Sequence, residues 1–297
     1  MATQELVNIN GSSCNVTTWL PRSSGGGKRQ LVVVFHGFLA HANYPTVRYA
    51  AELLQQQQQQ HIVVVAADMP GHGKSPGTVG YMKDAVSVTQ WAAAVIRYAV
   101  EQHQPDGGIV LLGSSLGGAL ALLAAQEVSS SIQIDGIVLL APMLGLKNVS
   151  ALERNLLYGL TRIVPNQWAL IPSSATDAAK QYRDAEKRKE CEELAGDTKY
   201  LCLGSAYTCI DLVQRVQTAA DTCSVPVWMG IADEDVVVDP DAALSWFQRY
   251  ESSSSNDKEG CVLKRYPALH GLLCEPSPLV DQIQDDVVQW VQGRCKT

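Results

Sequence analysis

Gly113-Ser114-Ser115-Leu116-Gly117 sets a serine between two glycines where a strongly apolar run, residues 109–112, gives way to a helix-forming stretch, residues 116–128. G-x-S-x-G between a strand and a helix is the pattern of a nucleophilic serine on a sharp turn. The frame selects Ser115, because Ser114 has Leu112 where a glycine would be needed. The glycines let strand and helix approach closely, and the strained turn lifts the hydroxyl above the sheet. A serine hydroxyl is a poor nucleophile until a base takes its proton. Of the six histidines, His61 precedes its strand and His103 lies beyond a helix end, both at the wrong end of a sheet. His36 and His72 sit in glycine-rich turns after strands, and His41 follows five residues after His36. Only His270 lies beyond the last strand, as the order nucleophile, acid, base requires. The acid should follow the strand at residues 225–229, and Gly230-Ile231-Ala232-Asp233 makes Asp233 the preferred residue. Asp235, two residues further on, is its competitor, whereas Asp239 beside Pro240 reads as a helix N-terminal residue. The acid would hold the imidazole tautomer and stabilise its protonated form. The backbone N–H groups of Leu116 and of Phe38, in His36-Gly37-Phe38, are the expected oxyanion donors.

These residues need a scaffold. Residues 31–35, 62–66, 109–112, 137–140, 225–229 and 261–266 read as strands rich in Val, Ile and Leu, and the first five lack polar alternation. That is the pattern of parallel strands covered on both faces. Helical periodicity marks residues 45–54, 81–101, 116–128, 240–250 and 278–292. Strand–helix alternation predicts an α/β fold with a doubly wound, mostly parallel sheet. Residues 6–9 and 16–20, around Gly11-Ser12-Ser13, suggest an antiparallel hairpin leading into it. The alternation stops between residues 144 and 222, where no strand-like run appears. The division expected is a core of residues 1–143 and 223–297 with a helical cap at 144–222. The glutamines at 55–60 and serines at 252–255 read as surface extensions.

The chain has 297 residues, 46% hydrophobic and 18% charged, which excludes a disordered or fibrous protein. A net charge of −7 offers no footprint for a phosphate backbone, so no nucleic-acid partner is expected. The first ten residues hold no basic region followed by an apolar run, and nothing approaches a membrane span. A cytoplasmic protein is expected. The eight cysteines form no C-x-x-C pair and no zinc spacing, so no metal is expected and reduced thiols are the simplest reading. Four of them fall between 191 and 223, which leaves a cap disulfide open.

With these residues in place, the chain from about residue 30 onward resembles the monoacylglycerol lipase and lysophospholipase branch of the α/β-hydrolase superfamily. His36-Gly37-Phe38 is similar to the branch's oxyanion turn, and Asp68-Met69-Pro70-Gly71-His72-Gly73-Lys74-Ser75 to its D-x-x-G-H-G-x-S loop, with Gly80-Tyr81 following. Residues 183–189 resemble a cap segment of plant-type members; Val237-Val238-Asp239-Pro240 and His270-Gly271-Leu272-Leu273 match the surroundings of acid and base. Two residues more than usual separate G-x-x-D from Asp239-Pro240, so counting back from Asp239 selects Asp235. The resemblance implies ester hydrolysis through an acyl-serine, with neither metal nor organic cofactor. It implies monoacylglycerols, lysophospholipids or similar single-chain lipid esters as substrates. A small-ester carboxylesterase, an acyltransferase or a peptidase with the same triad is the alternative, and a non-catalytic binding protein of the same fold a further one. The apolar stretch 148–171 can line an acyl tunnel, rest peripherally on a membrane surface, or simply pack on the core.

Overall fold

Side chains alternate between the two faces of a strand, so a strand with no polar residues must be covered on both. The computed structural model, which describes residues 2–21, 27–57, 61–147, 151–172, 177–195, 200–253 and 260–295, builds its central sheet from such strands. The chain opens with β1 (Ala2–Ile9) and β2 (Ser12–Trp19), an antiparallel hairpin whose turn residues Asn10 and Gly11 both have positive φ. Then follow β3 (Arg29–Phe35), α1 (Pro45–Gln55), β4 (His61–Ala67), α2 (Ala85–His103), β5 (Ile109–Ser114), α3 (Leu116–Val128) and β6 (Gly136–Leu140). After an insertion, β9 (Val227–Ala232), α8 (Pro240–Ser252), β10 (Val262–Tyr266) and α9 (Leu279–Gln292) complete the fold. The order is β1-β2-β4-β3-β5-β6-β9-β10, parallel from β4 to β10. Val33, Val65, Leu111, Leu139 and Met229 face a core shared with α2, α3 and α8. Val32, Val64, Val110, Val138 and Trp228 face a second core shared with α1 and α9.

Local chemistry sets the helix starts. Asp84 caps α2 by accepting the Ser87 N–H at 2.7 Å, so the helix begins at Ala85 instead of residue 81. The Met82 N–H, just upstream, is taken by Ser205 Oγ at 2.7 Å. Asp239 caps α8 with Pro240 in the first turn, as expected of that pair.

The insertion between β6 and β9 holds α4 (Ala151–Leu160), β7 (Ala169–Pro172), α5 (Ala178–Gln181), α6 (Ala185–Ala195), β8 (Tyr200–Cys202) and α7 (Leu203–Ala219). β7 and β8 pair antiparallel, where no strand was expected. At four and three residues they are too short to carry a strand pattern. Leu212, Val216 and Ala219 of α7 join the core beside α3. Gln55, expected on the surface, is instead buried at the end of α1, with its Nε2 donating to the Leu20 carbonyl at 2.6 Å. Residues 58–60 and 254–255 of the two low-complexity runs, and 148–150 of the apolar cap stretch, lie outside the described residues. No disulfide joins any of the eight cysteines. Among the described residues no helix is long and apolar enough to cross a membrane.

Trp246 joins α8 to α7. It is fully buried, its Nε1 donates to the Val216 carbonyl at 2.7 Å, and its ring stacks on Tyr250 at 5.3 Å. Trp246→Ala should cost about 3–5 kcal/mol, read as a lowered urea midpoint.

Candidate active site

Ser115 occupies the turn between β5 and α3 with φ 56° and ψ −123°, a backbone region few non-glycine residues adopt. The surroundings enforce it. The Ser115 N–H donates to the Leu140 carbonyl at 3.1 Å, and its own carbonyl accepts from the N–H groups of Gly118 (3.0 Å) and Met143 (2.8 Å). The flanking glycines are required by space. A Cβ on Gly113 would stand 2.2 Å from the Gly117 carbonyl oxygen, and one on Gly117 2.0 Å from that of Phe35. Ser114 is buried, whereas Ser115 keeps partial exposure.

The turn after β3 lies directly beside this serine. A Cβ added to Gly37 would be 3.4 Å from Ser115 Cβ and 3.9 Å from its Oγ. The backbone of residues 36–38 therefore passes Ser115 with no side chain between. Neither the Phe38 nor the Leu116 N–H has an acceptor among the described residues. His36 supports the turn from inside. Its Nδ1–H donates to the Gly37 carbonyl at 2.7 Å and its Nε2 accepts the Met69 N–H at 3.0 Å. Burial lowers its pKa, which keeps the ring neutral, as one acceptor nitrogen demands. Asp68, buried at the end of β4, ties the D-x-x-G-H-G-x-S loop to the same turn. Its carboxylate accepts from the Ala42 N–H (2.7 Å), Asn15 Nδ2 (2.9 Å) and the Lys74 N–H (2.9 Å). His72 packs edge-on to Phe38 at 5.7 Å between ring centres, and burial beside His36 pushes its pKa down to about 3.

His270, in the loop after β10, is 6% exposed, and its Nδ1 lies 2.6 Å from Oδ2 of Asp235, itself 2% exposed. Asp235 is acceptor-only when ionised, so Nδ1 carries the proton and Nε2 is left with its lone pair. The other Asp235 oxygen accepts the N–H groups of Val237 (2.8 Å) and Val238 (3.1 Å). Asp233, the preferred acid of the sequence reading, does not reach the imidazole. Its N–H still pairs with the Tyr266 carbonyl at 2.9 Å, and its carboxylate points outward to Arg265 Nε at 2.8 Å. The chain then turns back through the Asp235 N–H to the Ala232 carbonyl, at 3.3 Å, and this turn brings residue 235 inward. The spacing from Asp239-Pro240 was the signal that pointed there.

A model of the hydrolase family described as serine aminopeptidase, S33, matches residues 26–277. The chain belongs to that family. It is 28% identical to the monoglyceride lipase of Mus musculus over 97% of its own length and 90% of the relative's. It is 26% identical to the caffeoylshikimate esterase of Arabidopsis thaliana, over 78% of this chain and 69% of that one. Its fold is that of the soluble variant of monoglyceride lipase from Saccharomyces cerevisiae, solved with a substrate analogue. The TM-score is 0.80, covering 99% of this chain and 96% of that one, at 16% identity. The sheet and its flanking helices are thus those of an α/β-hydrolase, the fold expected from the sequence.

Among the described residues no group of three or more His, Cys, Asp or Glu is placed to hold a metal ion. Sequence reasoning missed the supports. The buried Glu275 accepts the Leu269 N–H at 2.6 Å, and Lys147 Nζ donates to the Asp235 carbonyl at 2.7 Å. Neither lies in a motif with chemistry of its own, so no spacing marked them.

Burial alone would raise the Asp235 pKa. The charge and hydrogen bond of His270, with the N–H groups of Val237 and Val238, outweigh it and hold the carboxyl below its ordinary value. A depressed folded pKa gives stability that is present above the unfolded value of about 3.9 and fades as pH falls through the lower folded value. The difference in unfolding free energy between wild type and Asp235→Asn should therefore be constant above about pH 5 and shrink progressively as the pH falls below about 4 in urea titrations. An unchanged difference would refute this linkage.

Proposed function

We propose that this chain is a serine esterase that hydrolyses carboxylic esters of single-chain lipids, monoacylglycerols above all, through an acyl-serine intermediate. The observation that carries the reading is the buried Asp235–His270 pair, held in one tautomer, in a chain whose Ser115 stands on a strained turn against Gly37. In this reading Nε2 of His270 takes the proton as Ser115 Oγ attacks the ester carbon. Asp235 stabilises the imidazolium that forms. The N–H groups of Phe38 and Leu116 receive the oxyanion. His270 then gives the proton to the departing alcohol, and water repeats the sequence on the acyl-serine to release a fatty acid.

Two observations support a lipid ester. The mammalian relatives are named monoglyceride lipases and align over nearly the whole chain. The insertion also turns apolar side chains to solvent: Leu152 and Ile163 are each 78% exposed, Leu156 63%, Trp168 56% and Leu170 50%. A surface of that kind suits contact with a lipid aggregate. On this reading residues 144–222 form a cap stemmed on α7, and a cytoplasmic enzyme reaches its substrate by peripheral contact through α4 and β7. A second reading, a carboxylesterase of compact aromatic esters, draws on the Arabidopsis relative.

Ser115→Ala should lose on the order of 10⁴–10⁶ in ester turnover and all labelling by a fluorophosphonate probe. Asp235→Asn should lose on the order of 10⁴, while Asp233→Asn stays within severalfold of wild type. Near-wild-type turnover by Ser115→Ala would end the esterase reading; the opposite ranking of the two aspartates would end the acid assignment. Rates on acetyl, octanoyl and oleoyl glycerol and on a caffeoyl ester separate the substrate classes. Rates rising with chain length are expected, and a preference for the caffeoyl ester would favour the second reading.

A further inference from the structure

The short link between α5 and α6 carries a cation that touches both loops of the acid–base pair. Arg183 Nε donates to Glu275 Oε2 at 2.8 Å, and its terminal NH2 pairs with Glu234 Oε1 at 3.0 Å and reaches the Pro267 carbonyl at 3.4 Å. Glu234 is the immediate neighbour of Asp235. The Glu275 side chain is completely buried, and its second oxygen accepts the N–H of Leu269, the residue before His270, at 2.6 Å. The same stretch grips the far side of His270. The Gln181 carbonyl accepts the Gly271 N–H at 2.8 Å, the Asp184 N–H donates to the Cys274 carbonyl at 3.2 Å, and Lys187 Nζ donates to the Glu275 carbonyl at 2.9 Å.

We propose that Arg183 is a positioning residue: it fixes the loop of His270 against the loop of Asp235, so that base and acid are aligned only while residues 181–187 are docked. The proposal rests on the roles assigned to Ser115, His270 and Asp235 above. Its physical basis is the guanidinium fork, which can serve two carboxylates in fixed directions at once, as an ammonium cannot. A buried carboxylate without a cation is costly, so Glu275 depends on Arg183. The Leu269 backbone depends in turn on Glu275, because its N–H has that carboxylate as acceptor. Arg183 acts through the residues flanking the pair: Glu234 beside Asp235, and Leu269 beside His270. Its influence is on alignment, and small misalignments carry large rate penalties.

The test compares purified wild type, Arg183→Ala and Arg183→Lys on p-nitrophenyl acetate. For Arg183→Ala, kcat should fall on the order of 10–100-fold with KM within about twofold. The far-downfield proton resonance of the His270 Nδ1–H held by Asp235 should broaden or vanish in this variant. Arg183→Lys keeps the charge but not the fork, and should recover part of the loss. Folded Arg183→Ala with wild-type kcat and an intact downfield resonance would overturn the proposal. So would a raised KM with wild-type kcat, which marks a role in substrate packing rather than alignment. If Arg183→Ala does not fold, Arg183→Lys decides: reduced kcat with unchanged KM supports positioning, and wild-type kcat refutes it. Wild-type protein that neither labels with fluorophosphonate nor turns over esters would sink the esterase reading instead, so the two failures are separable.

Discussion

The close approach of β3, β5 and α3 at Ser115 is the constraint on which the rest depends. A serine with φ 56° keeps that backbone only because its amide and carbonyl are both committed, to Leu140 and to Gly118 and Met143. Those partners reach it only if nothing larger than hydrogen stands at positions 113 and 117, since a Cβ at either would lie about 2 Å from a carbonyl oxygen. The parallel sheet supplies the rigidity. β5 is flanked by β3 and β6 and covered on both faces, so the turn at its end has little freedom to relax.

The same tight contact makes the turn at residues 36–38 a property of the scaffold. A side chain at Gly37 would touch that of Ser115, and behind Gly37 lies a hydrogen-bonded layer: His36 to Met69, Asp68 to Ala42, Asn15 and Lys74. A neutral, buried His36 and an acceptor-saturated Asp68 fix this backbone without lending a side chain to the site. This explains why two of the most distinctive motifs, His36-Gly37-Phe38 and the loop of residues 68–75, carry polar residues that face inward.

Asp235 and His270 are organised differently. Their loops follow β9 and β10 at the edge of the sheet, where the strands no longer determine the path. Asp233 still pairs along β10, and only the next turn carries a carboxylate inward. Arg183, between α5 and α6, pairs with both Glu275 and Glu234 and so bridges the two loops. The insertion is thus divided in character. Its 181–187 stretch is bound to the His270 loop, while α4 and β7 present apolar side chains outward.

By itself the sequence determined the sheet, its flanking helices, the strand–serine–helix turn at residues 113–117 and the placement of His270 beyond the last strand. Each is written in local terms: unbroken Val/Ile/Leu runs, helical periodicity, glycines two before and two after a serine, one histidine beyond the last strand. Apolar burial and steric crowding act over a few residues, so spacing reveals them. Tertiary structure decided which aspartate pairs with His270, because Asp233 and Asp235 differ only in how a turn is pinned to the neighbouring strand. It also decided the β7–β8 pair, too short to leave a pattern, and the partners of Glu275 and Arg183, which lie 92 residues apart. Hydrogen bonds and ion pairs between distant segments leave no periodicity in a single chain; they exist only once the fold has brought those segments together.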